Sequence, residues 1–232
     1  RILDFGKAPE AYAHLLDYGV QGSATRVAAV IGERALSYRI GAPGQHWVMN
    51  SLAVLAAVDA LDADVGAAAL SLGDLSAIAG RGQRQIVALR GGGDILLIDD
   101  AYNASPPSMR AAFELLSTAT HGRHARRIAV LGDMLELGAA AATLHAGLAE
   151  DLLASNIDVV HLCGPEMAHL AERLPTGRRG HYADDAATLL PAVRADVRPG
   201  DIVLVKGSHG SRMDIIVDGL RGLGHVRVVN GK

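Results

Sequence analysis

The 232-residue sequence predicts an α/β protein whose C-terminal part is a doubly wound, mostly parallel sheet, preceded by part of another α/β domain. Two observations carry that prediction. From about residue 127 the chain alternates short apolar, β-branched runs, "RIAVLG", "DVVHLCG" and "DIVLVKG", with segments of helical spacing. Strands apolar on both sides need helices on both faces, which is the arrangement of a parallel sheet. Before that point, "TRVAAVIG" and "ALSYRI" lie between turn residues and read as antiparallel β-sheet, followed by alanine-rich helical sequence.

Taken in order, residues 1 to about 45 are β-rich. From His46 the stretch "HWVMNSLAVLAAVDAL" places apolar residues at helical spacing, and "DVGAAALSLGDL" gives a second packed helix. Next, "RQIVALR", the glycines at 91–93 and "DILLIDD" read as a β-hairpin. A helix over 106–118 opens on a double proline, tolerated in a first turn. The basic, glycine-containing "HGRHARR" looks like a linker, so the predicted domains are 1–122 and 123–232. The second domain continues with strand "RIAVLG", a helix over about 140–154, strand "DVVHLCG", helix "PEMAHLAERL" and short strand "GHYA". Helix "DAATLLPAVRADV", strand "DIVLVKG" and helix "SRMDIIVDGLRGL" complete a Rossmann-like alternation.

Bulk properties narrow the function. A net charge of -3 and a pI near 6.4 give no basic footprint for nucleic acid or an anionic membrane. No apolar run is long enough to insert in a membrane, and "RILDFGKAPE" has no signal-peptide core. The single cysteine, Cys163, permits no internal disulfide and sits in an apolar run, as expected of a buried thiol in the cytoplasm. A start at Arg1 without methionine suggests a fragment.

In open α/β sheets ligands gather at the carboxyl ends of strands. Three polar clusters fall there: "LLIDDAYN", "AVLGDMLELG" and "VLVKGSHGSRMD". Turn and cap chemistry explains any one of them, but three together favour a site. Lys206 in "KGSHGSR" stands at a helix mouth, suited to a phosphate or carboxylate, though a solvated cation fits that position equally well. The loop has no Walker A order, and no G-x-G-x-x-G fingerprint occurs in the chain. Asp99 and Asp100 occupy successive strand positions, so they point to opposite faces and do not form an acid–base pair. One can cap the turn while the other accepts hydrogen bonds from a ligand such as a sugar diol. Arg81 in "AGRGQ" is a candidate phosphate clamp, with a plain surface arginine as the commoner alternative. His46 and His145 read as packing or capping residues, since no metal-ligand spacing is present. Ser208 lacks a nucleophile elbow, so the expected chemistry is positioning and electrostatics.

Several segments in order resemble the Mur ligase family, most closely its MurF branch: "GQHWVMNSLAVLAA", "GRGQ", "IDDAYNASPPSMRAA", "RRIAVLGDMLELG" with His145 following, and "GDIVLVKGSHGSRMD". The resemblance spans about residues 44–220. It implies part of an ATP-binding middle domain followed by a C-terminal Rossmann-like domain of a three-domain ligase. Such enzymes phosphorylate a carboxylate with ATP and magnesium, then let an amine attack the acyl phosphate. The implied small-molecule substrates are UDP-N-acetylmuramoyl-tripeptide, D-alanyl-D-alanine and ATP, used in the cytoplasm for peptidoglycan precursor synthesis.

By the same resemblance, Asn50 contacts adenine, Arg81 is the phosphate-side arginine, and Asp100 binds ribose, with Tyr102 and Asn103 along the nucleotide edge. Lys206 and Ser208 face the transferred acyl group or the dipeptide carboxylate; Arg81 and Lys206 are the catalytic candidates. The sequence departs from the family's usual pattern at Trp47, Ser105 and His209, where Asn, Asn and Arg are common. The family's P-loop, magnesium ligands and carbamylated lysine lie upstream of the matching region, so this chain supplies no metal ligand and is expected to be inactive alone. A stand-alone binding module and another Mur-type amino-acid ligase are the alternatives. A dehydrogenase is disfavoured by the missing glycine fingerprint.

Overall fold

A computed structural model of the chain describes residues 2–21, 24–75, 80–122 and 125–229. They form two compact units, one up to residue 75 and one over residues 80–229.

In the first unit, β2 (Ala13–Gln21), β3 (Ala24–Ile31) and β4 (Arg34–Ile40) form an antiparallel meander, and the short β1 (Phe5–Gly6) pairs parallel to β2. Alternation along β3 buries Val27, Ala29 and Ile31 on one face. Against that face packs α1 (Gln45–Ala60), through Val48, Leu52, Leu55 and Ala56, spaced one helical stripe apart. The second helix, α2 (Val65–Ser71), is capped by Asp64, whose carboxylate accepts from Ala67 N–H at 3.0 Å.

The second unit contains β5 (Gln83–Leu89), β6 (Asp94–Asp100), β7 (Arg127–Gly132), β8 (Val159–Cys163), β9 (Arg179–Ala183), β10 (Ile202–Lys206) and β11 (Gly224–Val228). Their order is β11-β5-β6-β10-β7-β8-β9. From β6 to β9 all neighbours are parallel, while β5 and β11 add antiparallel pairings at one side. Helices α3 (Pro106–Thr118), α4 (Ala141–Ala154) and the single turn α5 (Ala168–Ala171) cover one face through Met109, Phe113, Leu116, Leu148 and Leu152. Helices α6 (Ala186–Asp196) and α7 (Asp214–Arg221) cover the other through Leu189, Val193, Ile216, Val217 and Leu220. Each such buried side chain stabilises the fold by about 1.5–3 kcal/mol relative to exposure.

The connections create a crevice. After β6 the chain turns to α3 on one face, and after the neighbouring β10 it turns to α7 on the opposite face. Adjacent strands whose continuations part in this way leave their carboxyl ends open between them, a topological switch point. At this edge α3 starts on two prolines, and Ser105 N–H donates to Ser108 Oγ at 2.9 Å to cap it.

The structure departs from the sequence's indications in four places. The expected division at 122/123 runs through the second unit, although residue 123 itself lies outside the described residues. Strands β5 and β6 belong to the C-terminal sheet because β6 pairs with β10, a partner more than one hundred residues away that no local composition announces. The helix expected at "PEMAHLAERL" shrinks to α5 between Pro165 and Pro175, with hydrogen-bonded turns on either side. Strands β2 and β11 were not indicated by the sequence; a bulge between Leu15 and Asp17 breaks the alternation of β2.

Candidate functional site

The switch point is built from the ends of β6, β7 and β10. Lys206 ends β10 directly opposite Asp100, which ends β6. Its ammonium donates to Asp100 Oδ2 at 2.7 Å and to the Asn103 carbonyl at 2.9 Å. The lysine side chain is 2% exposed and the carboxylate 23%, so the ion pair is inside on the lysine side and reaches solvent on the aspartate side. Asp99 points to the other face, as strand geometry requires, and is bound by Arg221 of α7 at 2.9 Å.

Ser208 joins three loops. Its hydroxyl oxygen accepts from Leu135 N–H at 2.9 Å, its O–H points to the Ala104 carbonyl at 3.5 Å, and its own N–H donates to the Asp133 carbonyl at 3.0 Å. The loop after β7 is pinned again by His145, whose Nε2 accepts from Met134 N–H at 2.9 Å while Nδ1–H donates to the Ala141 carbonyl at 2.7 Å. Those two partners fix a single neutral tautomer. Gly132 and Gly207 make this convergence possible, because a Cβ on either would lie 2.5–2.7 Å from Ser211 Oγ.

Asp133, in the "AVLGDMLELG" cluster but not singled out there as a site residue, also lies at this edge. Its carboxylate accepts from Met167 N–H at 2.9 Å and, more weakly, from Glu166 N–H at 3.4 Å. Burial nevertheless pushes its pKa above the ordinary carboxylate value, against those hydrogen bonds. On the next strand, burial first and then Asp133 and Asp185 push the Cys163 thiol up to about 12, which makes it inert.

An exposed rim completes the site. The Arg81 guanidinium lies over the Tyr102 ring, 4.2 Å from its centroid, and the His209 ring meets Tyr102 at 5.7 Å. Tyr102 is 48% exposed. Cation, aromatic ring and a part-exposed carboxylate at a strand-end crevice suit a planar, polyhydroxylated or anionic ligand. Among the described residues, no group of three or more His, Cys, Asp or Glu could hold a metal ion.

Residues 80–209, the stretch that builds this edge, match the family described as Mur ligase, glutamate ligase domain.

The chain belongs to the Mur ligase family.

The UDP-N-acetylmuramoyl-tripeptide–D-alanyl-D-alanine ligase of Rickettsia prowazekii is 29% identical over 217 residues, covering 94% of this chain and 46% of that protein. The ligase of the same name from Mycobacterium leprae is 35% identical over 212 residues, covering 83% and 40%. The chain thus spans under half the length of these curated relatives. Among solved structures, the MurF ligase of Thermotoga maritima in complex with ADP superposes with a TM-score of 0.74 at 24% identity, covering 95% of this chain and 48% of that one. MurF from Acinetobacter baumannii gives 0.78 at 22% identity, covering 96% and 47%. At these identities the superpositions establish the fold.

Within this Mur ligase chain, Arg81, Asp100, Tyr102, Asn103, Lys206 and Ser208 come together at one edge of the second unit. Asn50 is exposed on α1 of the first unit. Two of the six differ from the expected picture. Lys206 faces Asp100 and the Asn103 carbonyl rather than open space, and the Ser208 hydroxyl is taken up by neighbouring loops. His46 lies on α1, and Trp47 beside it packs at the margin of the first unit's core.

Proposed function

We propose that the chain is the C-terminal part of a cytoplasmic ATP-dependent ligase that joins D-alanyl-D-alanine to UDP-N-acetylmuramoyl-tripeptide. The observation that carries this reading is the convergence of Arg81, Tyr102, Asp100 and Lys206 at the switch point of the sheet, within the segment matched by the family. The names of the relatives supply the substrates.

In this reading a carboxylate oxygen of the tripeptide takes the γ-phosphoryl group of ATP, and ADP leaves. The dipeptide amine then attacks the acyl carbon, the bond to the phosphate oxygen breaks, phosphate departs, and the amine proton passes to solvent or a base. ATP supplies the activation. The chain's own residues orient: Arg81 neutralises phosphate charge, Asp100 accepts from ribose hydroxyls, Tyr102 and Asn103 border the nucleotide, and Asn50 contributes an adenine-side amide. Lys206 donates to Asp100, holds it in place, and fixes the Asn103 backbone behind it. Magnesium ligands belong to the remainder of the full-length protein.

The test is steady-state kinetics on the full-length polypeptide, following ADP release that depends on both the UDP-linked tripeptide and the dipeptide. Asp100→Ala is expected to raise KM for ATP more than KM for the dipeptide. Equal effects on the two, or no dipeptide-dependent ADP release by the unmodified enzyme, count against the reading.

A further inference from the structure

Lys206 and Ser208 were the expected contacts for the incoming dipeptide, yet one is 2% exposed beneath Asp100 and the other is bonded within the protein. Two other residues at this edge have the properties a short peptide needs. Among the described residues only three non-glycine residues have positive φ: Asp62, in the first unit, and Glu136 and Arg212, both at the switch point. Glu136 (φ 64) follows Leu135, whose N–H is held by Ser208, and Arg212 (φ 53) ends the turn His209–Ser211 that begins beside Ser208. The two loops touch, since Gly210 lies against the Leu135 side chain.

Left-handed backbone at a side-chain-bearing residue persists only where the surroundings impose it. Here the surroundings do. Met134 N–H is pinned by His145 and Leu135 N–H by Ser208, so the chain arrives at Glu136 already committed. Ser211 N–H and Arg212 N–H donate to the Ser208 and His209 carbonyls at 2.9 and 3.2 Å, which commits Arg212. Neither side chain earns this conformation by packing, for both are exposed. The Glu136 carboxylate bonds nothing among the described residues. Arg212 makes one exposed contact, Nε to Asp214 Oδ1 at 3.3 Å, with 63% of its side chain open. An anion and a cation are thus held out, at the cost of backbone strain, on two touching loops at the edge of the site.

We propose that Glu136 and Arg212 form the recognition pair for a zwitterionic short peptide, Glu136 receiving its ammonium and Arg212 its terminal carboxylate. The inference rests on the ligase reading and names the residues that select its amine substrate. A guanidinium matches a carboxylate through two parallel N–H donors, and an extended dipeptide separates its charged ends by about 7 Å. A free amino acid brings the two charges closer together and a longer peptide moves them apart.

The experiment uses the full-length polypeptide and its dipeptide-dependent ADP release. Glu136→Gln and Arg212→Gln are each expected to raise KM for D-alanyl-D-alanine at least tenfold while leaving KM for ATP unchanged. The C-terminal amide of the dipeptide separates charge recognition from general damage: the unmodified enzyme should prefer the acid strongly, and Arg212→Gln should lose most of that preference. Glu136→Gly removes the carboxylate and the backbone strain together, so KM for the dipeptide should rise while the thermal midpoint holds or increases. Unchanged KM for the dipeptide in an active, folded variant, or a preference for the acid that survives Arg212→Gln, overturns the pair. An unmodified full-length enzyme with no dipeptide-dependent turnover removes the ligase reading itself.

Discussion

Replacing Asp100 by Asn keeps the volume of the side chain and removes the charge opposite Lys206. The ammonium is then left 2% exposed with the Asn103 carbonyl at 2.9 Å and a neutral amide. Breaking a buried ion pair by removing one partner costs about 3–5 kcal/mol. Because Asp100 is 23% exposed, solvent already screens part of the pair, so we expect about 2–3 kcal/mol for Asp100→Asn. Lys206→Met keeps the buried stem and removes the charge opposite a carboxylate that is 23% exposed, and should cost about 1–2 kcal/mol. The double variant replaces the pair with neutral groups of similar volume and should cost about 1 kcal/mol, giving a coupling energy of about 2–4 kcal/mol. The assay is urea unfolding followed by far-UV circular dichroism. The single tryptophan, Trp47, lies in the first unit, so its fluorescence would follow the wrong part of the chain. Appearance of a reactive Cys163 thiol marks the transition of the second unit. If the two single effects add to within about 0.5 kcal/mol of the double variant, the ion pair is not the joint that the geometry describes.

Other consequences follow from the same coordinates. Cys163, with its pKa at about 12, should resist alkylation in the native protein at neutral pH and react fully in denaturant; rapid native labelling would contradict its burial. Ser208→Ala strips the acceptor from Leu135 N–H and should cost about 1–3 kcal/mol, with amide exchange of Leu135 accelerated more than that of β8; uniform acceleration would argue against a local latch. Burial holds the His161 imidazole below its ordinary pKa despite the attraction of Asp196. The folded chain therefore binds fewer protons than the unfolded one once pH falls below about 6.5, and stability declines from there toward the folded pKa, by at most about 1.4 kcal/mol per pH unit. His161→Gln should remove that slope, and a slope unchanged in the variant would place its origin elsewhere. Finally, calorimetry on this chain alone should show weak or absent ATP binding, and micromolar affinity would mean that the phosphate contacts are already present here.

Much of the second unit was legible because its signals are local. The run "ILLI" is buried on both sides in β6, and the opposite orientations of Asp99 and Asp100 follow from a period of two. The double proline marked the start of α3 correctly. What escaped depends on distant partners. Lys206 stood at a strand end as expected, but its partner Asp100 lies 106 residues earlier, so two residues read as separate ligand contacts form one ion pair. The linker-like "HGRHARR" falls between α3 and β7 inside the second unit, whereas the division between units falls near "AGRGQ". The left-handed backbone at Arg212 had no signature, because "SRM" carries neither Gly nor Asn at that position.

The placement of β10 also constrains how the chain can be made. On a ribosome the residues of β6 and β7 emerge early, but 202–206 follow only after β8, β9 and α6. Until then the growing sheet exists as two separate pieces, β5-β6 and β7-β8-β9, each presenting a bare strand edge toward the gap. Closure needs contacts between residues 75 and 106 positions apart, which makes it a late and slow event. A polypeptide cut short before residue 202 would keep both edges exposed, in a form suited to pairing with other chains, so premature termination here should yield aggregates rather than a smaller soluble domain.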